Sequence, residues 1–162
     1  MQVYLAARYS IKDQIKAHGE ELQELGMEST SRWCHEKLKG SAQLDDVPES
    51  FLLSAAINDI EDMHRADVVV LFTVNPREAT VRGGRHFEAG YAMGIGKPLI
   101  ICGPVENIFH MLPNVTICAD WEATKKELLR RRFEESKRRT SGNNASIYVT
   151  GGCCGTQTMS NR

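Results

Sequence analysis

The segment Gly83-Gly84-Arg85-His86-Phe87-Glu88-Ala89-Gly90-Tyr91-Ala92-Met93-Gly94 sets one carboxylate, Glu88, among glycines and apolar residues. A surface carboxylate ordinarily sits among other polar groups. A carboxylate at the start of a half-apolar helix, behind Gly-Gly, is expected to line a pocket. There glutamate can act as acid, base or nucleophile. The bland alternative is a carboxylate that complements the positive end of a helix dipole.

The elements that must position this group can be read from the hydrophobic pattern. Residues 2–6 form a first buried strand. Ile11, Ile15, Leu22 and Leu25 recur at helical spacing, with Gly26 as the stop. A short second strand follows near residues 27–33, then a polar loop over 35–47. Pro48 opens a helix over about 49–65, with Phe51, Leu52, Ala55, Ala56, Ile60 and Met63 on one apolar face. Asp67-Val68-Val69-Val70-Leu71-Phe72 is a continuous apolar run, as in a strand buried on both faces. A loop over 74–84, containing Pro76, leads to the helix of Glu88, expected over about 85–95. Further strands are expected over 97–103 and 115–118, and a last helix from Trp121 to about Lys137. This alternation predicts an α/β layered fold with a mostly parallel five-stranded sheet flanked by helices. Ligands bind such sheets beyond the carboxyl ends of the strands. The loops after residues 6, 72 and 103 should therefore meet at one pocket, with Glu88 close by.

Composition removes several classes. The 162 residues suit one domain with a sizeable core, expected over 1–139, with a Ser-, Gly- and Asn-rich flexible tail over 140–162. Lys and Arg total 20 against 21 Asp and Glu, so the net charge of -1 gives no general pull toward nucleic acid or membrane. No apolar run approaches the length needed to span a bilayer, and residues 1–5 lead straight into a strand, so a cytoplasmic protein is expected. The five cysteines fit no zinc spacing. Cys102 and Cys118 read as buried apolar residues, and Cys153-Cys154 as part of the tail. The basic run Lys125 to Arg139 alternates with Glu127, Glu134 and Glu135, which makes it a solvated helix face. No Gly-x-Gly-x-x-Gly follows the first strand, against a dinucleotide dehydrogenase.

Four blocks carry a resemblance: Tyr4-Leu5-Ala6-Ala7-Arg8; Asn58-Asp59-Ile60 before Ala66-Asp67-Val68-Val69-Val70; Phe87-Glu88-Ala89-Gly90-Tyr91-Ala92; and Lys97-Pro98-Leu99-Ile100. In order and approximate spacing, the chain over about residues 2–135 resembles the nucleoside 2-deoxyribosyltransferase family, whose superfamily also holds nucleoside 5'-monophosphate N-glycosidases. The resemblance implies a flavodoxin-like fold and cleavage of the bond between a base and a sugar, without cofactor or metal. It implies Glu88 as nucleophile, Asp59 as the group that handles the proton on the departing base, and Tyr4 as the residue that holds Glu88. It also implies a homodimer or higher homo-oligomer with shared sites, His110 or Asn107 reaching into a partner's pocket. The chain departs from the family in its long 75–85 loop, which carries Arg77, Arg82 and Arg85. It departs also in Arg8, Tyr9 and Ser10 of the first loop, and in lacking the C-terminal asparagine that transferases place beside the sugar.

The implied chemistry is coherent. Breaking an N-glycosidic bond develops positive charge on the sugar, which a carboxylate below it stabilises or traps as an ester. The base leaves poorly unless a second carboxylic acid protonates it. This is the two-carboxylate logic of retaining glycosidases. Attack on the ester by water gives a hydrolase; attack by a base gives a transferase. Arg8 and Arg85 flank the expected pocket, and guanidinium groups bind phosphate bidentately. Gly83-Gly84 presents backbone N–H groups to an anion or is simply a turn. The expected ligand is thus a nucleoside or its 5'-monophosphate, with the monophosphate favoured. Each residue also has a plainer role: Asp59 on a solvated helix face, Tyr4 in the core, Asp67 as a structural strand opener, His110 packed at an interface. A non-catalytic nucleotide-binding or sensor protein on the same fold is the alternative.

Overall fold

Two continuous apolar runs, residues 2–6 and 67–72, need cover on both faces, and a parallel sheet between helices supplies it. A computed structural model of the chain describes residues 1–36, 47–75 and 83–145. The elements in order are β1 (Gln2–Ala6), α1 (Lys12–Glu24), β2 (Glu28–Ser29), α2 (Glu49–Arg65), β3 (Val68–Phe72), α3 (Gly84–Gly94), β4 (Leu99–Cys102), β5 (Val115–Cys118) and α4 (Trp121–Ala145). Short 3-10 turns lie at Tyr9–Ile11, Arg32–His35 and Ile108–Met111. The five strands are all parallel, in the order β2-β1-β3-β4-β5, which is the flavodoxin-like order. The α/β layered expectation is met, and its "mostly" parallel sheet is wholly parallel.

The register sets Tyr4 of β1 beside Val69 of β3, and Val70 beside Ile100 of β4. Val3 to Ala6, Val68 to Phe72 and Leu99 to Cys102 are all buried. Asp67 opens β3 structurally: its Oδ2 accepts the Gln2 N–H at 2.7 Å. Cys102 and Cys118 are buried register partners on β4 and β5. The second strand is only two residues long, because the chain turns at Arg32 into a 3-10 segment that buries Trp33 and Cys34.

The helices cover the sheet unequally. On α1, Ile15, His18 and Leu22 are buried, as helical spacing requires. On α2 only Asp62 and Met63 are buried, both in its last turn. Of the predicted apolar face of α2, Met63 is buried, Phe51, Leu52, Ala55 and Ile60 are half-buried and Ala56 is exposed, while Leu53 and Ile57, off that face, stand exposed.

The chain divides into a unit of Met1–Lys126, which holds the whole sheet, and a second unit from Glu127. The helix α4 runs to Ala145, past the expected helix end at about Lys137. Its charges pair along the helix. Glu127 accepts from Arg130 and Arg131, and Arg139 pairs with Glu135, so the basic run is an ion-paired helix surface. Residues 146–162 with Cys153-Cys154, the loop residues 37–46, and Pro76, Arg77 and Arg82 lie outside the described residues. Among the described residues no helix is long and apolar enough to cross a membrane.

Candidate active site

In a 2-1-3-4-5 sheet the connections leave in opposite directions at β1 and β3, opening a crevice at their carboxyl ends. The three predicted catalytic residues come from the elements around it. Tyr4 lies on β1, Asp59 on α2, which leads into β3, and Glu88 on α3, which follows it. The Tyr4 ring is fully buried, and its hydroxyl donates to Glu88 Oε1 at 2.7 Å. The same hydroxyl bears on the Asp59 carboxyl. The phenol thus holds Glu88, and Asp59 lies near enough for its charge to act on both.

The electrostatics follow from that placement. Burial pushes Glu88 up to about 7; the Tyr4 hydrogen bond pulls it down and the Asp59 charge pushes it up further. Asp59 is pushed up to about 6, first by burial and next by the Glu36 carboxylate, against a lowering hydrogen bond from Tyr4. Its Oδ1 is buried without a partner. Tyr4 itself is raised well above its ordinary value, by burial and then by the Glu88 charge, so it stays a donor. Both carboxyls are thus held above the ordinary carboxylate range, within reach of neutral pH.

The predicted binding residues fall into two groups. Near the exit of β1, Arg8 is half-buried and its Nε has no partner. The Tyr9 hydroxyl donates to the Glu36 carbonyl at 3.3 Å and accepts from Lys12 Nζ at 3.2 Å; Ser10 is exposed. Gly83 and Gly84 open α3. Gly83 has φ +79, a conformation that favours glycine, and a Cβ added at either position would meet open space.

The second group gathers around Glu106. Arg85 is buried, and its Nη2 donates to Glu106 Oε1 at 2.6 Å. His110 is also buried in its own chain; its Nδ1 accepts the Glu106 N–H at 3.3 Å, and Asn107 Nδ2 lies 3.2 Å from its Nε2. Asn107 Oδ1 accepts the Phe109 N–H, capping the 3-10 turn. The imidazole expected to reach a partner is thus turned inward here. The apolar residues of the same turn point outward: Ile108, Phe109 and Met111 are 79%, 59% and 68% exposed.

Sequence reasoning missed Glu36 and Glu106. Glu36 sat in a polar loop with no periodicity to single it out, and only the fold brings its charge to Asp59. Glu106 follows the strand exit at Gly103, and the one signal was that glycine. Among the described residues no group of His, Cys, Asp and Glu is arranged to hold a metal ion.

No family profile matches the sequence. No curated protein matches it either. Among solved structures, the chain is similar to a 2-deoxyribosyltransferase from Bacillus psychrosaccharolyticus, at 18% identity and a TM-score of 0.57, over 76% of this chain and 90% of that one. A Clostridium botulinum CMP N-glycosidase aligns at 22% identity and a TM-score of 0.47, over 81% of this chain and 97% of that one. The chain therefore shares the fold of a solved 2-deoxyribosyltransferase, the fold that its four sequence blocks imply.

Proposed function

We propose that this protein is an enzyme that cleaves the N-glycosidic bond of a nucleoside, 2'-deoxynucleoside or 5'-monophosphate, passing the sugar to water or to another base. The carrying observation is the Tyr4 hydroxyl, bonded to Glu88 at 2.7 Å, with the Asp59 carboxyl near enough at the β1/β3 crevice for its charge to act on both. Glu88 attacks the anomeric carbon as the bond to the base breaks, forming a glycosyl ester. Asp59 delivers its proton to the departing base. Water or a second base, deprotonated by Asp59, then attacks the ester and frees Glu88. Tyr4 holds Glu88 in line and stabilises its ionised form. Arg8, with an unpartnered Nε, meets a 5'-phosphate. The exposed apolar turn Ile108–Met111 and the uncovered face of α2 are the surfaces through which copies of the chain would associate.

The test is incubation of the purified protein with ribo- and deoxyribonucleosides and their 5'-monophosphates, with and without a second free base, followed by chromatography. Base release without an acceptor identifies a hydrolase; product only with a second base identifies a transferase. Bound ligand and no product from any substrate would replace this reading with a non-catalytic nucleotide-binding protein. In Arg8→Ala, KM for monophosphates should rise about tenfold while that for nucleosides changes little. Equal effects on both would remove the phosphate role.

A further inference from the structure

We propose that Arg85 and Glu106 form a buried clamp that seats the first turn of α3, and with it Glu88, against the exits of β3 and β4. The start of α3 needs such a tether. It begins with two glycines, the least constrained residues, and its N-cap Gly83 offers no side-chain hydrogen bond. Arg85 lies three residues before Glu88, on the same side of the helix. Its guanidinium is 1% exposed and donates to a Glu106 carboxylate that is 4% exposed, at 2.6 Å. The same Oε1 accepts the Val74 N–H at 2.9 Å. One oxygen therefore ties together α3, the exit of β3 and the loop after β4.

Gly103 makes that meeting possible. Its φ is +121, and a Cβ there would lie 2.7 Å from Thr73 Oγ1 and 2.9 Å from the Thr73 carbonyl oxygen. Only glycine lets the loop after β4 pass this close to the exit of β3. The His110 contact to the Glu106 N–H then fixes the backbone at the clamp. Arg85 Nε and Nη1 have no hydrogen-bond partners, and Glu106 Oε2 faces only the His86 Nε2 at 3.6 Å, so the hydrogen bonds of the joint converge on this single shared oxygen. A buried ion pair is a weak source of stability compared with apolar packing, but it permits few geometries. Arg85 and Glu106 are positioning residues: they touch neither the sugar nor the base, and act through the seat of Glu88.

The kinetic consequence rests on the role proposed for Glu88; the geometry does not. Removing one partner strands a buried charge, so Glu106→Gln alone should lower Tm sharply. The paired variant Arg85→Met/Glu106→Gln removes both charges and should regain a Tm near that of the wild type. In that variant the Glu88 side-chain carboxyl, followed by 13C NMR, should titrate well below its wild-type midpoint, toward the ordinary 4.5, as the helix start loosens and Glu88 is wetted. With an active substrate, kcat should fall roughly tenfold to a hundredfold with KM changed less than about threefold. A midpoint unchanged from that of the wild type overturns the clamp whatever kcat does. So does a paired variant that does not fold, since it would make the pair part of the fold itself. If the wild type turns over nothing, the proposed function fails, and the NMR midpoint still decides the clamp.

Discussion

Asp59 and Asp62 lie one turn apart on α2 and have opposite surroundings. Asp62 is wholly buried and fully engaged: Oδ1 accepts from Arg32 Nε at 2.8 Å and Arg65 Nη2 at 2.6 Å, and Oδ2 accepts the Arg32 N–H at 2.9 Å. Asp59 is half-buried, has an oxygen with no hydrogen-bond partner, and lies among the charges of Glu36, Glu88 and Asp62 itself, with only Arg32 opposing them. The first arrangement spends a charge on joining α2 to the segment after β2. The second keeps a carboxyl near neutrality, ready to hold or release a proton. Burial alone does not mark a functional acid; burial without compensation does.

The comparison can be broken in several places. The largest effect is expected from Glu88→Ala, which should reduce kcat about 10³-fold or more, with the thermal transition moved by only a few degrees. Full turnover in that variant would end the nucleophile assignment. The neighbouring aspartates should then separate cleanly. Asp59→Asn should cost about 10²-fold in kcat and leave stability unchanged or slightly higher. Asp62→Asn should cost about 2 kcal/mol of stability and leave turnover per folded molecule nearly intact. Paired denaturation and kinetic measurements that gave both variants the same profile would erase the contrast.

Stability against pH supplies the next test. Glu88 titrates at about 7 in the folded chain against an ordinary 4.5, so the native state binds more protons in that window. Stability should therefore fall as pH rises from 4.5 to 7, and the raised Asp59 adds to the fall up to about 6. Glu88→Gln should abolish most of this slope and be more stable than the wild type at pH 8, by about 2 kcal/mol. A flat difference between the two proteins across this range would show that Glu88 is not shifted. The smallest effect is expected from Tyr4→Phe. The hydroxyl lowers both carboxyls, so its loss should raise them, move the acidic limb of kcat/KM to higher pH and cost about tenfold at neutrality. An unmoved limb would reduce Tyr4 to core packing.

Local pattern was enough for the frame of this protein. The apolar runs of β1, β3 and β4 could only be strands buried on both faces, and Pro48 and Gly26 marked helix limits, because both signals act within a few residues. Glu88 stood out for the same reason, a carboxylate in apolar company behind Gly-Gly. Asp59 could not be told from Asp62 or Glu61 by pattern; the resemblance of whole blocks singled it out, and only the packed fold shows why it differs from Asp62. Tertiary structure alone decided where charges at distant positions meet: Glu36 near Asp59, Glu106 on Arg85 and Val74, and the Tyr4 hydroxyl between two helices. The covered and uncovered faces of α2 were settled the same way. A hydrophobic period fixes an element because its cause is local, whereas the pKa of a carboxyl depends on neighbours that the chain brings together only when the sheet closes.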